Sequence, residues 1–126
     1  MIVVDTSALI AIVLEEPQAE NCLTAITTES SLKISAATIA EALVVADGRK
    51  VGRAMRHLID RFDFEIVTVT SSSAERVAES YRLWGKGNHP AGLNFGDCFA
   101  YALAKELACP LLFIGNDFAR TDIMRA

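Results

Sequence analysis

The sequence predicts an α/β fold, a three-layer α/β/α sandwich with a central parallel sheet of four or five strands, and two observations carry that prediction. Short apolar or β-branched runs alternate with longer stretches of helical periodicity along the whole chain, the pattern of successive βαβ units. Two of the runs lead into an acid: Ile2, Val3 and Val4 into Asp5, and Leu111, Leu112, Phe113 and Ile114 through Gly115 and Asn116 into Asp117. Strands joined by helical crossovers lie parallel, with right-handed connections and both faces covered. Ligands of such sheets bind outside the carboxyl ends of the strands, where these acids are expected.

Residues 1–5 read as a buried strand, and residues 6–14 as a helix entered through Asp5, Thr6 and Ser7, a good capping sequence. A second helix is expected over 17–27, with Pro17 in its first turn. Residues 32–35 form a short second strand, and 36–47 a helix rich in Ala, Leu and Val before Gly48. Residues 51–62 are amphipathic: Val51, Met55, Leu58, Ile59 and Phe62 fall on one side, Arg49, Arg53 and Arg56 on the other. The alternation over 65–70 gives a third strand, after which Ser71, Ser72 and Ser73 cap a helix running to Trp84. A glycine-containing loop over 85–92 leads to a helix from Asn94 to about Ala108, and Cys109 and Pro110 separate it from a fourth strand over 111–114. A short tail follows from Asn116.

The 126 residues, 52% of them hydrophobic, suit one domain spanning 1–126, a length that buries roughly two thirds of the unfolded surface. The longest wholly apolar run, residues 8–14, is far short of the ~20 residues that cross a bilayer, so the apolar excess is assigned to a core and no membrane partner is expected. Asp5 interrupts the run where a signal peptide would continue, which makes the cytoplasm the expected location. Cys22, Cys98 and Cys109 are odd in number and lack Cys-x-x-Cys spacing, as for reduced, buried thiols. A net charge of −4 argues against a nucleic-acid partner. That objection weakens if Asp5, Glu41, Asp97 and Asp117 are neutralised by divalent cations, which leaves the remaining surface close to balanced.

Each acid also has a plainer reading. Asp5 is a natural helix cap; Asn94 with Asp97 three residues on resembles a capping box; Asp117 suits a turn; Asp122, after Thr121, could cap a last short helix. Glu41 is different, because Ile39, Ala40, Ala42, Leu43, Val44, Val45 and Ala46 leave it almost no polar face, and a buried, unpaired carboxylate is costly. Four ionised carboxylates about 5 Å apart repel by roughly 3 kcal/mol per pair at an effective dielectric near 20. Six such pairs come to about 20 kcal/mol, more than the usual ~5–15 kcal/mol of net stability, so the cluster needs cations, protons or separation.

The stretch from Asp5 to Leu9, the helical Glu41, the run from Ala91 to Ala104, and residues 115–118 with 121–123 together resemble a PIN-domain protein, in particular the VapC-type toxins of bacterial toxin–antitoxin pairs. The resemblance covers essentially the whole chain in order and spacing. It implies a PIN-like fold and a Mg²⁺- or Mn²⁺-dependent endoribonuclease that cleaves RNA phosphodiesters with a metal-activated water. Carried over, Asp5, Glu41, Asp97 and Asp117 match the family's catalytic, metal-ligating acids, Thr6 matches a supporting hydroxyl, and Asp122 is a supporting or alternative fourth acid. It further implies a homodimer silenced by a cognate antitoxin protein.

Arg49, Arg53 and Arg56 offer a phosphate track for the RNA, set against an ordinary solvated helix face. Tyr81, Trp84 and Phe95 are assigned to packing rather than base stacking. Two rival readings are a PIN-like module that binds without cleaving and, more remotely, a receiver-type phosphoacceptor domain. The latter lacks an acceptor Asp after its central strand, since the third strand runs into Thr70 and three serines.

Overall fold

The computed structural model describes all 126 residues. Ten elements follow in order: β1 (Ile2–Val4), α1 (Thr6–Val13), α2 (Ala19–Thr28), β2 (Leu32–Ser35), α3 (Ala36–Gly48), α4 (Gly52–Arg61), β3 (Phe64–Val67), α5 (Ser71–Trp84), α6 (Phe95–Leu107) and β4 (Leu111–Leu112). The four strands form one parallel sheet in the order β3-β2-β1-β4.

Strand side chains alternate between faces, so each strand feeds two layers. Ile2 and Val4 of β1 join Leu9 of α1, Ile26 of α2, Ala42 of α3 and Met55 of α4 in one buried cluster. Val3, one residue out of phase, joins Val77 of α5, Leu103 of α6 and Phe118 in the other. Helices α1 to α4 thus cover one face, and α5 and α6 the other, which is the sandwich expected from the sequence.

This wiring locates the crevice. From β1 the chain steps through β2 to β3 over one face; it then returns over the other face to place β4 on the opposite side of β1. The strand order therefore reverses between β1 and β4, and a crevice opens there at the carboxyl ends. Asp5 follows β1 directly.

Several boundaries differ from the sequence expectation. The third strand covers Phe64–Val67 and stops short of Thr70, which instead caps α5 by accepting from Ser73 N. The fourth strand is two residues long rather than four: Phe113 turns away to pack on Phe118, and the Ile114 N–H donates to Ser7 Oγ at 3.0 Å. Pro17 lies before α2, not in its first turn. Arg49 is the C-cap of α3 rather than part of the following helix. The tail, read only as a tail, pairs beside β4 through a parallel bridge between Leu111 and Arg125. All three cysteines are free and buried, and no helix is long and apolar enough to cross a membrane.

Candidate metal centre

Asp5, Thr6, Ser7, Ile10, Glu16, Glu41, Asp97, Ile114 and Asp117 line an open pocket of about 310 Å³ at the carboxyl ends of β1 and β4. The chain thus brings together Asp5, Glu41, Asp97, Asp117 and Thr6, and leaves Asp122 out. Asp122 accepts from the Tyr101 hydroxyl at 2.5 Å and from Lys105 Nζ at 3.0 Å, and the Tyr101 hydrogen bond, followed by Lys105, holds it below the usual carboxylate range. It ties the tail to α6, so of the two competitors for the fourth position only Asp117 lines the pocket.

Three of the four acids are held by a neighbour in sequence or space. Asp5 caps α1 as its plainer reading has it: Oδ2 accepts from Ser7 N at 3.0 Å and Ser7 Oγ at 2.7 Å. Its other oxygen, Oδ1, is buried with no partner. Burial pushes the Asp5 carboxyl up to about 6, against the Ser7 hydrogen bonds, and Glu41 adds to the rise. Glu41 accepts from Thr6 Oγ1 at 2.6 Å. Asp97 completes a capping box on α6: the Asn94 N–H donates to Oδ2 at 3.0 Å, and the Asp97 N–H donates to Asn94 Oδ1 at 2.8 Å. Burial raises Asp97 to about 7 against the Asn94 hydrogen bond, and the charges of Asp5, Asp117 and Glu41 push the same way.

Capping and ligation are therefore compatible at Asp5 and Asp97, since each cap engages one carboxylate oxygen. An orphaned buried acceptor such as Asp5 Oδ1 is rare in folded proteins, and in a pocket of acids it fits a cation. No three acids are arranged to hold one ion as the side chains stand.

Glu41 is half-buried rather than enclosed. The apolar run around it reads as buried on all sides, yet Val44 is 73% exposed, because α1, α4 and α6 pack against α3 and leave that side open. Thr6 holds Glu41 at the pocket and Gly96 leaves it the room: a Cβ there would overlap the Glu41 carboxylate. Sequence reasoning missed Gly96 and Ser7 as site residues. The signal for both was adjacency to an acid, in Phe95-Gly96-Asp97 and Asp5-Thr6-Ser7.

The basic track is also narrower than expected. Arg56 is engaged by Asp47, with bonds of 2.7 and 3.1 Å, while Arg49 and Arg53 are exposed and make no ion pair. Trp84 packs as expected, donating to the Tyr101 hydroxyl at 2.8 Å. Phe95 does not: it is 68% exposed and touches Phe99 edge-on.

Comparison with known proteins gives the same picture. Residues 2–124 match the PIN domain family. Ribonuclease VapC30 of Mycobacterium tuberculosis is 41% identical over 124 residues, covering 96% of this chain and 95% of the relative. Ribonuclease VapC of Mycolicibacterium smegmatis is also 41% identical, over 96% of both chains. Among solved structures, Mycobacterium tuberculosis VapC20, described as a sarcin–ricin loop cleaving toxin, superposes with a TM-score of 0.81 at 15% identity, over 100% of this chain and 98% of that one. A toxin–antitoxin complex from Klebsiella pneumoniae gives 0.74 at 22% identity, over 97% and 93%. At these identities the superpositions speak to the fold, and the family rests on the sequence matches. With its acids gathered at the reversal of strand order, this chain belongs to the PIN domain family, as a close relative of the VapC ribonuclease toxins.

Proposed function

We propose that residues 1–126 act as one metal-dependent endoribonuclease domain, the toxin of a type II toxin–antitoxin pair, working in the cytoplasm on RNA. The observation that carries this reading is the buried, unpartnered Asp5 Oδ1 in a pocket shared with Glu41, Asp97 and Asp117.

Asp5, Glu41, Asp97 and Asp117 are the residues to hold Mg²⁺ or Mn²⁺. Such an ion supplies an acidified water as nucleophile and charge against the phosphodiester's developing negative charge. The chain's own part is to aim and tune the acids. Ser7 fixes the Asp5 carboxylate, Thr6 holds Glu41 beside it, and Asn94 sets the rotamer of Asp97. Burial raises both Asp5 and Asp97, so a metal held there would compete with protons for these two carboxylates.

Arg49 and Arg53 are the cations free to meet an RNA backbone, with Arg56 bound to Asp47. The cognate antitoxin and a second copy of the chain are the proposed protein partners, in keeping with relatives solved as toxin–antitoxin complexes.

Purified protein should cleave single-stranded or looped RNA with Mg²⁺ or Mn²⁺, and both excess EDTA and D97N should abolish cleavage. Full activity in EDTA overturns the mechanism, and metal-independent RNA binding without cleavage favours the silent module.

A further inference from the structure

We propose that Arg125 is a positioning residue for Asp117: by holding the loop that carries this acid to the pocket it sets the affinity of the site for a divalent cation, an inference that rests on the metal-dependent reading above.

Asp117 is the one acid of the four whose side chain makes no hydrogen bond. Ser7 holds Asp5, Thr6 holds Glu41 and Asn94 holds Asp97. The place of Asp117 is therefore set by the backbone of residues 113–117, which leaves β4 and turns at Gly115, whose φ of +94° suits glycine.

Two consecutive backbone groups of that loop are held by side chains. The Ile114 N–H donates to Ser7 Oγ at 3.0 Å, on the pocket side. The Gly115 carbonyl accepts from Arg125 Nη2 at 2.9 Å, and the guanidinium lies over the Phe113 ring, 4.1 Å from its centroid. Both anchors of Arg125 are firm. Its own backbone lies between the Leu111 N–H bond to the Met124 carbonyl and the Ala126 N–H bond to the Leu111 carbonyl, each 2.9 Å. Phe113 is buried, its ring 5.0 Å from that of Phe118.

Charge alone predicts the opposite effect on the site. A cation so near a cluster of acids weakens the binding of another cation, so its removal by itself tightens binding. Positioning predicts loosening, because a ligand on a slack loop must be ordered when the ion binds. The sign of the change separates the two.

The test is calorimetric titration of the full chain with Mn²⁺ at pH 7.5, without RNA, for wild type, R125A, R125M and D5N. Methionine keeps an apolar stem on Phe113 and so guards against a variant that fails to fold. Both Arg125 variants are expected to bind Mn²⁺ about tenfold more weakly than wild type, the scale of losing an outer-shell support. They should approach wild-type cleavage at saturating Mn²⁺. Unchanged or tighter Mn²⁺ binding in either folded variant overturns the proposal, while binding by wild type and its loss in D5N leaves the metal-dependent reading intact. Absence of Mn²⁺ binding by wild type overturns both.

Discussion

Asp5 carries two roles on its two oxygens, and the roles pull stability in opposite directions. Oδ2, bonded by Ser7 N and Oγ, closes the first turn of α1, while Oδ1 is buried with nothing to accept from. The rise from 3.8 to about 6 is what that burial costs the ionised form, at most about 3 kcal/mol at neutral pH. Asparagine keeps an acceptor for Ser7 and removes the charge. D5N should therefore melt above wild type in EDTA at pH 7.5 and be inactive in RNA cleavage, the trade expected where a function is held at the expense of stability. A D5N protein that melts well below wild type in EDTA contradicts this account of Oδ1. Ser7 acts more conventionally: S7A removes the hydroxyl bond to Asp5 Oδ2, leaving only the backbone one, and takes the acceptor from the Ile114 N–H. It should cost about 1–3 kcal/mol by denaturant titration and lower activity as well.

At the level of elements, helix α6 meets α3 through a missing side chain. Gly96 sits in the first turn of α6, where alanine is intrinsically better by up to about 1 kcal/mol, yet its Cβ would overlap the Glu41 carboxylate. That carboxylate is the far end of a flexible chain, so it can swing aside at little cost to the fold. G96A should thus leave the melting temperature unchanged or slightly raised while cutting RNA cleavage at least tenfold, a split that a merely structural glycine does not give. The sequence carries the acids and the elements that bear them well, because a strand end, a cap and an apolar helix each leave a local pattern. Gly96 left only its place beside Asp97, since its role depends on a helix more than fifty residues away. Asp122 misled for the same reason: its partners Tyr101 and Lys105 are set by the docking of the tail. Val44 likewise read as buried, because an apolar run does not say which of its faces a neighbour covers. Arg56 read as a free cation until the turn between α3 and α4 brought Asp47 to it.

For the molecule as a whole, the acid cluster makes folding stability depend on pH and on divalent cations together. Native Asp5 and Asp97, at about 6 and about 7, keep protons that the unfolded chain gives up near pH 4. Where the native state binds more protons, stability falls as pH rises. Their contribution is thus fully present below about pH 4 and is lost as pH passes through 6 and 7. Asp47 and Asp122 are held low by Arg56 and Tyr101 and act in the opposite sense, but only below about pH 4. The window from pH 5 to pH 7.5 lies above the range in which Asp47 and Asp122 act. In EDTA the melting temperature should fall across that window. A divalent cation reverses the trend, because it binds the ionised ligands and stabilises the native state by mass action. Millimolar Mg²⁺ should therefore raise the melting temperature clearly at pH 7.5 and much less at pH 5, where protons hold both carboxylates. Equal shifts at the two pH values would mean that Mg²⁺ binds somewhere other than Asp5 and Asp97. Between pH 5 and pH 7.5 protons and the cation therefore compete for the same two carboxylates, so the gain in melting temperature with Mg²⁺ follows the ionisation of Asp5 and Asp97.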